Sequence, residues 1–261
     1  MVERVWENLL VAVEGPVATV TLNRPTRLNA LSRRLREELI QVIDELEGRA
    51  EVGAVVLTGS GERAFAAGQD LSEAQGFDVA EAGRWVDEWT VLYERILRFP
   101  KPLIAGLNGY AVGAGFQVAL LCDIRIAADH ARFGMPEVDD AIPCITGTWT
   151  LYELIGRGRT LDLVLSGRMV DAQEALQWGI VTRVVPAAEL ARVSAEEARF
   201  LAGKPATAIR LNKEWFRRLL LEKLPATEAY AKEAHQFAFG TGEPAEKMAA
   251  FLSHKAVGRS T

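Results

Sequence analysis

Apolar positions along this chain recur with two spacings, every second residue in some stretches and every third or fourth in others, which predicts strands and helices in alternation. Leu9 to Val13 and Pro16 to Leu22 are β-branched runs around Glu14-Gly15, the pattern of a hairpin whose second strand leads into Asn23-Arg24-Pro25. After Ser32, the residues Leu35, Leu39, Val42, Ile43 and Leu46 keep helical spacing with charges between them, and Gly48 is available as a stop. Val52 to Thr58 is a short apolar run ending in Gly59-Ser60-Gly61, as expected of a buried strand followed by a loop. The order then repeats. Trp85, Trp89, Leu92, Tyr93 and Ile96 mark a helix stopped by Pro100 and Pro102, and Leu103 to Leu107 resumes a strand. A glycine-rich turn from Gly109 to Gly115 leads into a short helix through Val118 and Leu121, then a strand from Asp123 to Ala128. Past Ile142 the strand signal fades. Asp171 and Glu174 make a capping box and Gly179 a stop around one helix, before the run Ile180 to Val185. From about Ala187 the pattern is helical to the end, with Pro205, Pro225 and Pro244 at helix starts. This alternation predicts an α/β fold with sheets fed by crossover helices, residues 1–200 forming the body and 201–261 a helical appendage.

Composition narrows the function classes. With 261 residues, 49% apolar and 25% charged, the chain can bury a sizeable core and has the balance of a soluble protein. No run approaches the roughly 18 apolar residues a membrane span requires. Met1-Val2-Glu3-Arg4-Val5-Trp6-Glu7 puts acids where a signal peptide needs a basic region, so a cytoplasmic location is expected, with no membrane partner. A net charge of −5 argues against a nucleic-acid backbone as partner, yet leaves room for a local basic pocket that takes a phosphorylated ligand. Cys122 and Cys144 stand apart from each other and from His130, His235 and His254, so neither a disulfide framework nor a metal site is expected.

Two small-residue loops carry the candidate chemistry: Ala64-Phe65-Ala66-Ala67-Gly68-Gln69-Asp70-Leu71, and Asn108-Gly109-Tyr110-Ala111-Val112-Gly113-Ala114-Gly115-Phe116. Each follows an apolar strand and enters a helix. Small side chains let a ligand approach the backbone, and a helix N-terminus offers N–H groups with no partner inside the helix. Two such loops can converge on one oxygen, where each preorganised donor contributes roughly 2.7–4 kcal/mol to an oxyanionic transition state.

These loops belong to a longer series of phrases. Leu22-Asn23-Arg24-Pro25, Leu28-Asn29-Ala30-Leu31, Phe65 to Asp70, Asn108 to Ala111, Cys122 to Ala127, Phe133-Gly134-Met135-Pro136-Glu137-Val138, Gly167 to Ala172 with Trp178 to Val181, and Met248 to Leu252 occur in one order from about residue 5 to 255. In that order the chain resembles the crotonase (enoyl-CoA hydratase/isomerase) superfamily. The resemblance implies a β-spiral core of ββα units, a C-terminal helical trimerisation domain, and assembly as a homotrimer or a hexamer built as a dimer of trimers. It implies an acyl-CoA thioester as substrate, with no cofactor beyond the coenzyme A that the substrate carries. Transferred position by position, it puts oxyanion-hole N–H donors on Gln69 and Ala114. It puts coenzyme A contacts around Arg24, Leu28, Ala30, Ala66, Gly68 and Asp70, and at Phe251 and Lys255 in the tail. Family members carry that tail's basic group at the position of His254, which makes Lys255 a shifted substitute.

The hydratases of the family use two glutamates, and here one position holds Glu137 and the other Gln117. An amide can hold a water by hydrogen bonds but cannot take its proton near neutral pH. Three chemistries therefore stay open: hydration of a 2-enoyl-CoA with Glu137 serving both steps while Gln117 positions water, single-base Δ3,Δ2-enoyl-CoA isomerisation, and a specialised lyase, decarboxylase or hydrolase. A non-catalytic acyl-CoA binder is a further alternative. Where family members carry a glycine-rich turn, this chain reads Asp139-Asp140-Ala141-Ile142-Pro143-Cys144, a reshaped segment in which Asp139 and Asp140 either add a carboxylate near the thioester or form a solvated turn. Gly113-Ala114-Gly115 lacks the third glycine of a dinucleotide fingerprint, and Thr58 before Ser60 breaks a serine-hydrolase elbow. Trp85, Trp89 and Trp149 are candidates for an aromatic acyl pocket, or else for core or subunit contacts.

Overall fold

The computed structural model describes residues 2–257, with side chains from 6 to 250. The chain opens with β1 (Val2–Val5), β2 (Leu9–Glu14) and β3 (Val17–Leu22), paired antiparallel, the β2/β3 hairpin keeping register from Leu9↔Leu22 to Glu14↔Val17. Ser32 then caps α1 (Arg33–Gly48) by accepting the Leu35 N–H. Next come β4 (Ala54–Gly59), β5 (Ala64–Ala66), α2 (Leu71–Ala74), α3 (Val79–Arg98), β6 (Leu103–Leu107), β7 (Tyr110–Val112), α4 (Ala114–Leu121), β8 (Ile124–Ala128) and β9 (Arg132–Gly134). A 3-10 turn, Pro136–Asp140, precedes α5 (Ile145–Ser166), which is broken at Gly156 (φ 73°, ψ 172°). The chain continues with β10 (Met169–Asp171), α6 (Ala172–Gln177), β11 (Arg183–Val185), α7 (Leu190–Ala202), α8 (Ala206–Leu221), α9 (Leu224–Thr241) and α10 (Glu243–Val257).

Two sheets result. The larger runs β1-β2-β3-β4-β6-β8-β11, parallel from β3 onward, and the smaller runs β10-β9-β7-β5. Each pass of the chain lays one strand in the large sheet, a three-residue strand in the small one, and returns through helix, so β4/β5, β6/β7 and β8/β9 stack as successive spiral turns. The ββα spiral expected from the resemblance is present. The central strands are buried on both faces, as parallel strands under crossover helices must be. Val55, Leu57, Leu103, Ala105 and Leu107 point into the main core with α1 and α3, while Ala54, Val56 and Ile104 face Leu190 and Ala198 of α7.

Local expectations hold with two corrections. The Asp171 carboxylate accepts the Glu174 N–H, but Glu174 does not reciprocate, because Arg168 takes its carboxylate at 2.7 Å. The complete capping box lies instead at Asp78 and Glu81, opening α3. On α1 the charges are not all solvated: Arg36 and Glu38 are buried among the apolar positions. α9 packs along α3, which places the helical C-terminal region over the same helix that flanks the candidate loops.

Candidate active site

The segment Arg24–Leu31 lies beside the first candidate loop, and Asn29 fastens it there. Asn29 is fully buried with φ 55°, a left-handed conformation that Asn tolerates better than most residues. Its amide donates to Ser60 O (3.0 Å) and Ala64 O (2.8 Å), and its Oδ1 accepts the Arg24 N–H (2.9 Å). The Ala67 N–H donates to Leu28 O at 3.0 Å and the Leu31 N–H to Gly68 O at 2.8 Å. Arg24, Leu28, Ala30, Ala66, Gly68 and Asp70, far apart in sequence, are thereby brought to one place. The Arg24 guanidinium bonds Ala30 O (2.6 Å) and Asp70 Oδ2 (2.9 Å), so its charge is already paired. Burial opposes the charge on Asp70, but bonds from Ser72 and Arg24 outweigh it and hold the carboxyl below its ordinary range. Ala66 is fully buried, its carbonyl against Gly115. Phe251, His254 and Lys255 lie outside the residues whose side chains are described.

The second loop closes on the first. A Cβ on Gly68 (φ 93°) would sit 3.0 Å from Val112 O and 3.8 Å from Ala114 N, and one on Gly115 would strike Ala66 O. Only glycine allows this approach. Gly113 (φ 52°, ψ −128°) turns the chain into α4, leaving Ala114 as the first helical residue, whose N–H has no acceptor within the helix. Gln69 faces Leu31 in an isolated parallel bridge, and among the described residues neither its N–H nor that of Ala114 has a partner. Both residues line one cavity of about 130 Å³.

At that cavity sits a hydrogen-bonded chain of buried polar groups. Tyr93 O–H donates to Gln117 Oε1 (2.8 Å), which fixes the amide so that Nε2 donates to Glu137 Oε1 (3.0 Å). Glu137 Oε2 is shielded from solvent with no hydrogen-bond partner, although the Cys144 thiol lies against the carboxylate. Burial raises the Glu137 pKa to about 7, against partial relief from its own backbone, Cys144 and Gln117. The phenol of Tyr93 is pushed well above its ordinary range, first by burial and then by Glu137, so it stays a donor. The Cys144 thiol is raised for the same two reasons.

Successive turns of α3 form one wall through Trp85, Trp89 and Tyr93, spaced at i, i+4 and i+8. From α9, His235 meets Trp85 edge-on at 5.7 Å. Burial lowers the His235 pKa, and its Nδ1 lies 2.7 Å from Ala231 O, so the neutral ring donates from Nδ1. Trp149 lies elsewhere, in an apolar groove between α5 and α8. The two adjacent acids diverge: Asp140 lines the cavity, whereas exposed Asp139 abuts Gly167, where a Cβ would come within 3.0 Å of Oδ2.

Tyr93, Cys144 and His235 are the cavity groups that sequence patterning did not single out as site residues. Tyr93 sits at an apolar helical position and reads as core; Cys144 and His235 carry no local signal. Chemically, the cavity combines two unpartnered N–H donors on adjoining loops with a carboxyl poised to exchange a proton near neutrality.

Comparison with known proteins adds relatives. The family model described as enoyl-CoA hydratase/isomerase matches residues 12–257. The short-chain-enoyl-CoA hydratase of Clostridium acetobutylicum is 37% identical over 251 residues, spanning 96% of each chain. A probable enoyl-CoA hydratase of Rhizobium meliloti is likewise 37% identical over 251 residues and 96% of each chain. Among solved structures, an enoyl-CoA hydratase from Bacillus anthracis superposes with a TM-score of 0.78 at 36% identity, covering 87% of this chain and 90% of that one. An enoyl-CoA hydratase/isomerase from Mycobacterium paratuberculosis gives 0.85 at 26% identity, covering 93% and 98%.

Proposed function

The chain belongs to the enoyl-CoA hydratase/isomerase (crotonase) family, and from that premise we propose that it hydrates a short 2-enoyl-CoA through an enolate at this cavity. The observation that carries the reading is the Glu137 carboxyl, raised to about 7 and unpartnered on Oε2, facing the same cavity as the free N–H groups of Gln69 and Ala114. The thioester oxygen takes both N–H groups, which stabilise the charge that develops as water adds at C3 and gives up a proton to a carboxylate of the cavity. Glu137 then delivers its proton to C2 and the enolate collapses to the 3-hydroxyacyl thioester. The Tyr93–Gln117 pair holds Oε1, leaving Oε2 to move the proton. A small cavity walled by Trp85, Trp89 and His235 suits a short acyl chain, in keeping with the relative named for short-chain substrates. Arg24 and Asp70, with Leu28, Ala30 and Gly68 beside them, are the residues we assign to the coenzyme A portion.

The same Gln117-to-Glu137 bond supports a second reading, single-carboxylate Δ3,Δ2-enoyl-CoA isomerisation, because one group can remove and return the proton. Mass spectrometry of purified protein with a panel of acyl-CoAs in H₂¹⁸O separates the two. Hydration gives a labelled-water mass gain on crotonyl-CoA, isomerisation a positional shift without gain on a 3-enoyl-CoA. No change on either would remove both readings. For assembly we propose a homotrimer or a dimer of trimers. Support comes from Leu211, Trp215, Phe216 and Leu219 on α8, which leave an apolar surface exposed in the single chain. Light scattering that reports a monomer at micromolar concentration would contradict it.

A further inference from the structure

We propose that Asp140 is the base that takes the proton from the attacking water, filling the role that Gln117 cannot fill; this rests on the hydratase reading above. Glu137 and Asp140 are three residues apart on the 3-10 turn Pro136–Asp140, and in a 3-10 helix residues i and i+3 eclipse, so both carboxylates project from one face. That face is the cavity: both residues line it, and the intervening Val138 and Asp139 are exposed. Asp139 is excluded by its position against Gly167.

Gln117 is excluded by its bonds. Its Oε1 accepts from Tyr93 and its Nε2 donates to Glu137, and an amide has no basicity to offer water. Asp140 is half-buried. Burial and Asp139 hold its carboxyl above the ordinary range, with Lys247 from α10 offsetting part of that. The charged or titratable groups around it are Glu137 and Asp139 on its own turn, Lys247 from α10, and the Cys144 thiol at the start of α5 beside Glu137.

Asp140 accepts a proton from water as the C3–O bond forms. The C2=C3 π electrons shift to make the enolate, whose oxygen is held by the Gln69 and Ala114 N–H groups. The enolate re-forms the thioester carbonyl as C2 takes the proton from Glu137. Asp140 ends protonated and Glu137 ionised, and proton exchange with solvent resets both. Two neighbouring carboxylates in unlike surroundings thus divide the acid and base roles.

The test pairs crotonyl-CoA hydration with exchange of the α-proton of butyryl-CoA in D₂O, a reaction that needs Glu137 and the N–H pair but no water addition. Asp140→Asn is expected to lower hydration by roughly 10²–10⁴-fold. Exchange is expected to fall by less than about tenfold, with KM for crotonyl-CoA little altered. Adding Gln117→Glu to Asp140→Asn should restore part of the hydration, and Asp139→Asn should leave it within about twofold. Hydration by Asp140→Asn near the wild-type rate would overturn the assignment while leaving the hydratase reading intact. Equal loss of exchange and hydration would make Asp140 a support for Glu137 and also overturn it. A wild type that exchanges but hydrates nothing would remove the hydratase reading and this inference with it.

Discussion

Arg36 and Glu137 are both buried charges, one packed behind the Gln69 and Trp89 wall of the cavity and the other lining it, and the protein treats them in opposite ways. Arg36 is held by several partners: it bonds Leu31 O (3.2 Å), Gln69 Oε1 (3.1 Å) and Glu88 Oε2 (2.7 Å), and its guanidinium lies 4.5 Å from the centre of the Trp89 ring. Burial alone would strip its proton more readily, and the Glu88 and Glu73 carboxylates oppose that. Glu137 has one oxygen held by Gln117 and the other without a hydrogen bond, with only the Cys144 thiol lying against the carboxylate. A buried charge held by several partners fixes a structure, here the loop that carries Gln69. One with an oxygen left open keeps a proton within reach of exchange, which is what acid–base chemistry requires.

Breaking the Arg36 site should show the larger effect on stability. Arg36→Ala takes one partner from Glu88, which keeps Arg33, and leaves the Gln69 amide oxygen and Leu31 O without the Arg36 donor; removing one member of a buried pair costs about 3–5 kcal/mol. Glu88 is one-third exposed, so the lower figure is expected, read as a fall in the urea midpoint. Next in size is Gly113→Ala. Its φ of 52° with ψ −128° belongs to glycine, and a Cβ would lie 3.4 Å from Glu137 Oε1. Misaiming the Ala114 N–H should reduce kcat by about 10²–10³-fold, the effect of losing one oxyanion donor.

The open site should appear in the pH dependence of folding. A free glutamate titrates near 4.5, and folded Glu137 at about 7. Below pH 4.5 it is protonated in both states and its contribution is fully present. As pH rises through about 7 the folded state must bury a charge, and about 3 kcal/mol of stability is lost across that window. Glu137→Gln should remove this slope, so urea midpoints at pH 5 and pH 8 should converge in the variant relative to wild type. The smallest change is Tyr93→Phe, which leaves Gln117 Oε1 buried without its donor. It should cost about 1–3 kcal/mol in stability and lower kcat by about tenfold with KM little changed.

Much of this arrangement was legible beforehand, and the exceptions have physical causes. The hairpin, α1, α3 and the central strands are long enough to express their periods. Strands β5, β7, β9 and β10 have three residues each, too few to show alternation, and the segments holding β5 and β7 read as small-residue loops. α5 exposes Tyr152, Leu154, Leu161 and Leu165 while burying Trp149 and Leu151, so its apolar residues face every direction and no stripe emerges. In the site, Gln117 and Glu137 were nameable from their phrases. Their link through Tyr93 was not, because a tyrosine at a core helical position looks the same whether or not its hydroxyl is bonded. Arg36 was hidden likewise among the surface charges of α1.

The most direct test of the central claim is single-turnover crotonyl-CoA hydration in D₂O by wild type and Glu137→Gln, beside calorimetric binding of the same thioester. The account predicts a wild-type product with one deuterium at C2. It also predicts that Glu137→Gln binds crotonyl-CoA with little change in Kd but forms product at least about 10²-fold more slowly. Hydration by Glu137→Gln at the wild-type rate would contradict it.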